Sequence, residues 1–247
     1  IRHYSGISII FCLFVSLIFT ASGLFVPRLV VRMFNSNPDV ISTGISYLRL
    51  VALSYIPIAL TNILSAILRA VENVKIPMYV SGITTFLNIF LDYALIFGKL
   101  GMPRLEIKGA ALATVISAWV GVVMIVVISL FQRNILVTKK RLFFAFTKRE
   151  IKSYIKKATP VVLNEGMWGA GTFLYNIVFG NMGYEYFSAL TIVRSFENIS
   201  FVIFIGICSA ASVMIGKSVG KGKIERAIMD SKRFSIIVPA VAVMVAL

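Results

Sequence analysis

Two carboxylates stand where carboxylates are expensive. Asp92 is the single charge in the run Ile76–Gly98, and Glu165 immediately precedes the uncharged run Gly166–Tyr184. A charge at membrane mid-depth costs about 2.5–3.5 kcal/mol on insertion scales, so such groups face a bundle interior or a wet cavity. Each acid belongs to a polar row. Ser81, Thr84, Asn88 and Asp92 step by three and four residues, as do Glu165, Gly169, Thr172 and Asn176, with Asn164 and Trp168 beside them. Steps of three and four share one helix face. A carboxyl aligned there with amides and hydroxyls offers a site for a cation or a proton.

Two more rows follow the same spacing. Ser54, Thr61 and Ser65 share a face with Asn62 adjacent, and Ser188, Thr191, Ser195 and Asn198 are flanked by Arg194 and Glu197. For the Ser and Thr residues, interhelical hydrogen bonding worth about 0.6 kcal/mol per contact is the favoured reading. For Asp92 and Glu165 a functional role is favoured, because a carboxylate makes costly glue. Glu197 stays open between a cavity role and neutralisation by Arg194, three residues earlier. Four helices with one hydrophilic side each suit a bundle around a water-accessible cavity that favours cations, with Asn88, Asn164, Trp168, Tyr175, Asn176 and Glu197 as its candidate lining.

Composition says which elements must hold these rows. The 247 residues are 58% hydrophobic and 14% charged, against roughly 45–50% and about 25% in soluble domains. Mean hydropathy is +0.90, which leaves too little polar surface to cover a water-soluble globule. A bilayer core of about 30 Å needs roughly 20 apolar residues per helix. Ile7–Pro27, Leu50–Leu68, Gly109–Gln132, Gly166–Tyr184 and Asn198–Gly216 carry no Asp, Glu, Lys or Arg, and Ile76–Gly98 makes a sixth run. Phe234–Leu247 reads as a helix cut partway through, and the chain as an interior piece of a longer one. The fold class expected is all-α: a polytopic membrane protein with about six and a half transmembrane helices in a two-lobe bundle.

The net charge of +15 would suggest nucleic acid in a soluble protein. Here the basic residues gather between spans. Counted on alternate sides, 18 Lys and Arg fall at Arg2, Arg69, Lys75 and within 133–157 and 217–233, and six fall opposite. The richer side faces the cytoplasm, which places the protein in the cell membrane and makes lipid, not nucleic acid, its partner. Residues 1–132 then form the later part of one lobe, 133–157 a basic cytoplasmic linker, and 158–247 the start of a second lobe. In the linker, Thr147-Lys148-Arg149-Glu150 has capping-box form, and Ile151, Tyr154, Ile155 and Ala158 recur at helical spacing. An amphipathic helix on the inner membrane surface is expected, running into the span that Pro160 opens. Pro57 should bend its span, and Gly166, Gly169 and Gly171 should let a neighbouring helix approach.

Other chemistries lack parts. Cys12 and Cys208 each sit in an apolar run and read as buried small hydrophobes. His3, the single histidine, has no acid or cysteine near it in sequence, so zinc or histidine-based hydrolysis has no candidate. Ala211–Ser218 mimics a phosphate loop but closes a span instead of opening a helix after a strand.

With these parts in hand the chain resembles a known family. Tyr47-Leu48-Arg49, Leu68-Arg69-Ala70-Val71-Glu72-Asn73, Asn88-Ile89-Phe90-Leu91-Asp92-Tyr93 and Gly109-Ala110-Ala111-Leu112-Ala113-Thr114 resemble the first half of the multidrug and toxic compound extrusion (MATE) family. Pro160–Trp168 and Gly216–Gly222 resemble the start of its second half. The resemblance implies twelve helices in two six-helix lobes, of which this chain supplies helices three to eight and the beginning of nine. It implies an antiporter, not an enzyme, exporting organic cations or other amphipathic compounds by alternating access, driven by Na⁺ or H⁺ with no other cofactor. It also implies a coupling role for Glu165; the notion of a monomer goes with it. A flippase for lipid-linked sugars or peptidoglycan precursors and a membrane-embedded enzyme are the rival readings.

Overall fold

The computed structural model describes residues 2–34, 37–132, 134, 136 and 146–246. Much of the basic linker, 137–145, lies outside the described residues. The described chain is helical, without a strand: α1 Arg2–Phe25, α2 Pro27–Arg32, α3 Pro38–Val51, α4 Tyr55–Ala70, α5 Lys75–Phe97, α6 Ile107–Gln132, α7 Lys148–Met182, α8 Tyr184–Gly220 and α9 Ile224–Ala246, with a 3₁₀ turn at Ala52–Ser54. It divides into two compact units, residues 1–181 and 182–247.

Five stretches are long and apolar enough to cross a membrane: His3–Phe25, Pro38–Ala70, Lys75–Phe97, Ile107–Gln132 and Glu185–Gly220. The chain is a multi-pass membrane protein. That is one fewer than the six apolar runs, because α7, which carries Gly166–Tyr184, is diluted by glycines, by Asn164, Asn176 and Asn181, and by its basic start. The second span is also longer than Leu50–Leu68. Asn37 caps it, its side chain accepting the Asp39 amide at 3.0 Å, and Pro38 occupies the first turn, where a missing N–H costs nothing. Pro57 is buried in the first turn of α4, and a 3₁₀ turn at Ala52–Ser54 precedes it.

In the first unit α5 and α6 pack most closely. Gly109, Ala111 and Ala113 are buried along α6, and a Cβ on Gly109 would stand 2.7 Å from the carbonyl carbon and oxygen of Leu95. Bare backbone against backbone is how membrane helices gain contact without a hydrophobic drive. Leu68, Ile76, Val80 and Ile125 form one buried cluster where α4, α5 and α6 meet, and Leu91, Leu95 and Ala113 form another. Gly98 closes α5 in the left-handed region at φ 65°, the usual glycine stop.

Helix α7 opens on the capping box read from the sequence. The Thr147 amide and hydroxyl donate to Glu150 Oε2 at 2.7 and 3.0 Å, and the Glu150 amide returns to Thr147 Oγ1 at 3.4 Å. The box starts a helix that does not restart at Pro160; the proline sits inside one continuous element. Its first turns clasp the start of α1: Tyr4 stacks on Tyr154 with ring centres 6.2 Å apart, Ser8 Oγ donates to the Tyr154 hydroxyl at 3.0 Å, and Lys157 Nζ lies 6.0 Å from the Tyr4 ring centre. No atom lies within 4 Å of a Cβ built on Gly166, Gly169 or Gly171, so that small face has no helix against it among the described residues.

The second unit is the pair α8 and α9. A tight turn with Gly222 at φ 71° joins them, closed by Lys223 N–H to Ser218 O at 2.9 Å. Ser218, Ala227 and Asp230 are buried there, with Arg233 4.0 Å from Asp230.

Candidate functional site

Between α4, α5 and α6 lies a cavity of about 240 Å³ in which hydroxyl and amide side chains share the wall with a larger apolar surface that includes Ile58 and Ala118. From α4 come Thr61 and Asn62, the row read from the sequence, with Ser54 and Ser65 buried on the same side. Helix α5 supplies Thr84, Thr85 and Asn88; α6 supplies Thr114, Ser117 and Gly121. Gly121 narrows one wall, since a Cβ there would stand 3.2 Å from Thr84 Cγ2 and 3.4 Å from Thr61 Oγ1.

The hydrogen bonding divides these groups. Thr84 Oγ1 donates to Val80 O at 2.8 Å and Thr114 Oγ1 to Ala110 O at 3.0 Å, spending their protons on their own helices and leaving oxygen lone pairs toward the cavity. Thr61 Oγ1 and Ser117 Oγ are buried without a hydrogen-bond partner among the described residues, and so is Asp92 Oδ1, one turn beyond Asn88. An unmatched buried oxygen costs about 1–3 kcal/mol. Thr61 on α4 and Ser117 on α6 bring two of them to the cavity wall, while Asp92 on α5 lies outside the lining and Thr20 on α1 is a fourth such oxygen elsewhere. Hydroxyl, amide and carboxyl oxygens suit a hard cation, a proton or water. No Lys or Arg is among the lining residues.

Of the residues singled out in the sequence, Asn88 lines this cavity and Asp92 adjoins it. Asn164, Glu165, Trp168 and Tyr175 are exposed on α7 and Asn176 is half-buried there; α7 adds nothing to the cavity lining. Tyr175 packs on Phe179, ring centres 4.5 Å apart. Glu197 is exposed on α8, in the other unit. Thr114 and Ser117 were missed as lining. Their signal was the step of three and four, Thr114, Ser117, Gly121, within an otherwise apolar run. Neither cysteine is fully buried as read: Cys12 is half-buried, its Sγ 3.4 Å from Ala59 O, and Cys208 is exposed.

The MatE family profile matches residues 1–94 and 160–247. Among similar proteins, the "Probable multidrug resistance protein NorM" of Thermotoga maritima is 28% identical over 225 residues, 91% of this chain and 48% of its own length. The protein of the same name from Rhodopseudomonas palustris is 30% identical over 82% of this chain and 43% of its own. The chain thus spans about half the length of the relatives it matches. A solved structure titled "Inward-facing conformation of a multidrug resistance MATE family transporter of the MOP superfamily" superposes with a TM-score of 0.69 at 20% identity, covering 98% of this chain and 55% of that one, which fixes the fold. Matching profile segments on either side of the linker, and a backbone that follows a MATE transporter almost throughout, lead to one conclusion: this chain belongs to the MatE family.

Proposed function

We propose that this chain is part of a secondary active efflux transporter in which an inward cation, Na⁺ or H⁺, exchanges for an organic cation or other amphipathic compound. The names of the relatives, multidrug resistance proteins, support export. The observation that carries the coupling is Asp92: a carboxyl oxygen buried within a span, without a partner among the described residues, one turn from Asn88 in a cavity that also holds hydroxyls. Occupation of that carboxyl by a proton or cation neutralises it and frees the bundle to change which side it faces, the energy coming from differential binding to the two states. Residues 1–132 and 158–247 are read as parts of two lobes, and Glu165 as a second coupling acid on α7.

A flippase for pyrophosphate-linked precursors needs a cationic cavity, and the lining of this one holds hydroxyls, amides and apolar groups but no Lys or Arg. A membrane enzyme needs two reactive side chains together; the cavity lining contains no carboxylate, cysteine or histidine. The test is dye efflux from cells carrying the full-length protein at matched expression. Asp92→Asn is expected to lower efflux at least tenfold and Glu165→Gln to lower it as well. Wild-type efflux by Asp92→Asn removes the N-terminal acid from the mechanism, and wild-type efflux by Glu165→Gln removes the other.

A further inference from the structure

A second hollow, of about 410 Å³, lies between α1 and the first half of α7. Ile7, Phe11 and Phe14 wall one side, with Ile151, Ala158 and Leu163 on the other. Its polar members are already satisfied: the Tyr154 hydroxyl accepts from Ser8 Oγ at 3.0 Å, and Thr159 Oγ1 donates to Ile155 O at 2.7 Å. Nothing in the hollow calls for a polar group. A hydrocarbon fits it.

The rim carries the opposite character. Lys148, Arg149, Lys152, Lys156 and Lys157 are exposed on the same turns of α7. Glu150 is the only acid between 146 and 163, and His3 and Thr147 already engage it. Lys157 lies over the Tyr4 ring; Lys152 and Lys156, exposed and one turn apart on α7, flank the helix face that carries the lining residues Ile151, Ile155 and Thr159. Ile7 opens the first span at the end that the distribution of basic residues places in the cytoplasm. An apolar slot at inner-leaflet depth under a cationic edge selects an amphiphile with an anionic head.

We infer that this hollow holds an acyl chain of an anionic phospholipid of the inner leaflet, its headgroup against Lys152 and Lys156. A cationic amphiphile is repelled by the same edge, and a zwitterionic lipid gains little from it. Each surface lysine is worth about 1 kcal/mol toward anionic lipid, roughly fivefold in preference.

The test uses the full-length protein in vesicles of equal phosphatidylglycerol and phosphatidylcholine, with the photocrosslinker p-benzoylphenylalanine placed at position 14. Mass spectrometry of the adducts is expected to show phosphatidylglycerol in roughly twentyfold excess over phosphatidylcholine. Lys152→Gln combined with Lys156→Gln brings the two lipids near parity, and Ala158→Trp, which fills the slot, lowers the total lipid adduct several-fold. Equal adducts in the parent protein overturn the charge argument. A crosslink to a peptide from elsewhere in the chain overturns the lipid itself. The readout involves no transport, so it stands or falls apart from the efflux reading.

Discussion

His3 Nδ1 lies 2.7 Å from Glu150 Oε1 although 147 residues of chain separate them. The same carboxylate holds the Thr147 amide and hydroxyl, so one side chain both starts α7 and fastens it to α1. Chiefly through the Thr147 backbone N–H, and next through the His3 hydrogen bond, the Glu150 carboxyl is lowered from its ordinary 4.5 to about 2. A carboxyl depressed in the folded state contributes stability that is complete above its unfolded value and disappears as pH falls through the folded one. Thermal unfolding of the full-length protein is therefore expected to lose stability between pH 4.5 and 2 through this group, and Glu150→Gln to flatten that part of the profile while leaving the slope above pH 5 unchanged. An unaltered acid limb in Glu150→Gln refutes the assignment.

Tyr154 contributes a ring and a hydroxyl to the clasp, and the two can be separated. Tyr154→Phe keeps the stack on Tyr4 and removes the bond from Ser8 Oγ, with an expected loss of about 0.5–1.5 kcal/mol. Tyr154→Ala removes both and should cost more. Hydrogen exchange over residues 148–158 distinguishes them: slightly faster in the first variant, much faster in the second.

Gly109 decides how near α5 and α6 come. Alanine is the better helix former by about 1 kcal/mol, yet its methyl would meet the Leu95 carbonyl at 2.7 Å, and backbone cannot step aside as a side chain can. Gly109→Ala is expected to lower stability by about 1–3 kcal/mol. A melting temperature equal to or above the parent's would show that the two helices have slack.

Ser117 is 5% exposed and its Oγ has no partner among the described residues. Removing such a hydroxyl sacrifices no bond, so Ser117→Ala should leave thermal stability within about 0.5 kcal/mol or raise it. Efflux should nonetheless fall, because the cavity loses one of its oxygens. Falling stability with efflux unchanged would instead make Ser117 a packing residue.

Much of this was legible because membranes impose simple arithmetic. Charge-free runs located the spans, and the capping box at Thr147 located the start of α7. The row Ser54, Thr61, Ser65 pointed inward as read, since a polar face in an apolar helix has one economical place to go. What stayed hidden was partnership. Nothing near His3 in sequence announces Glu150, because the tie is tertiary. Thr114 and Ser117 were obscured by the apolar run that surrounds them, α6 having the weakest amphipathic signal of the spans in the first unit. Gly166–Tyr184 passed as a span by lacking charge, whereas its asparagines and glycines leave it short of the hydropathy of the five.

The continuity of α7 has a mechanical meaning. A rod of 35 residues reaches about 52 Å at 1.5 Å per residue, and it is gripped near one tip, where Tyr4 and His3 meet it. Pivoting by about 5° at that grip swings the remote tip through about 5 Å by simple trigonometry. Adjustments too small to notice at that grip are thereby magnified, as by a crowbar, at the far end of the helix.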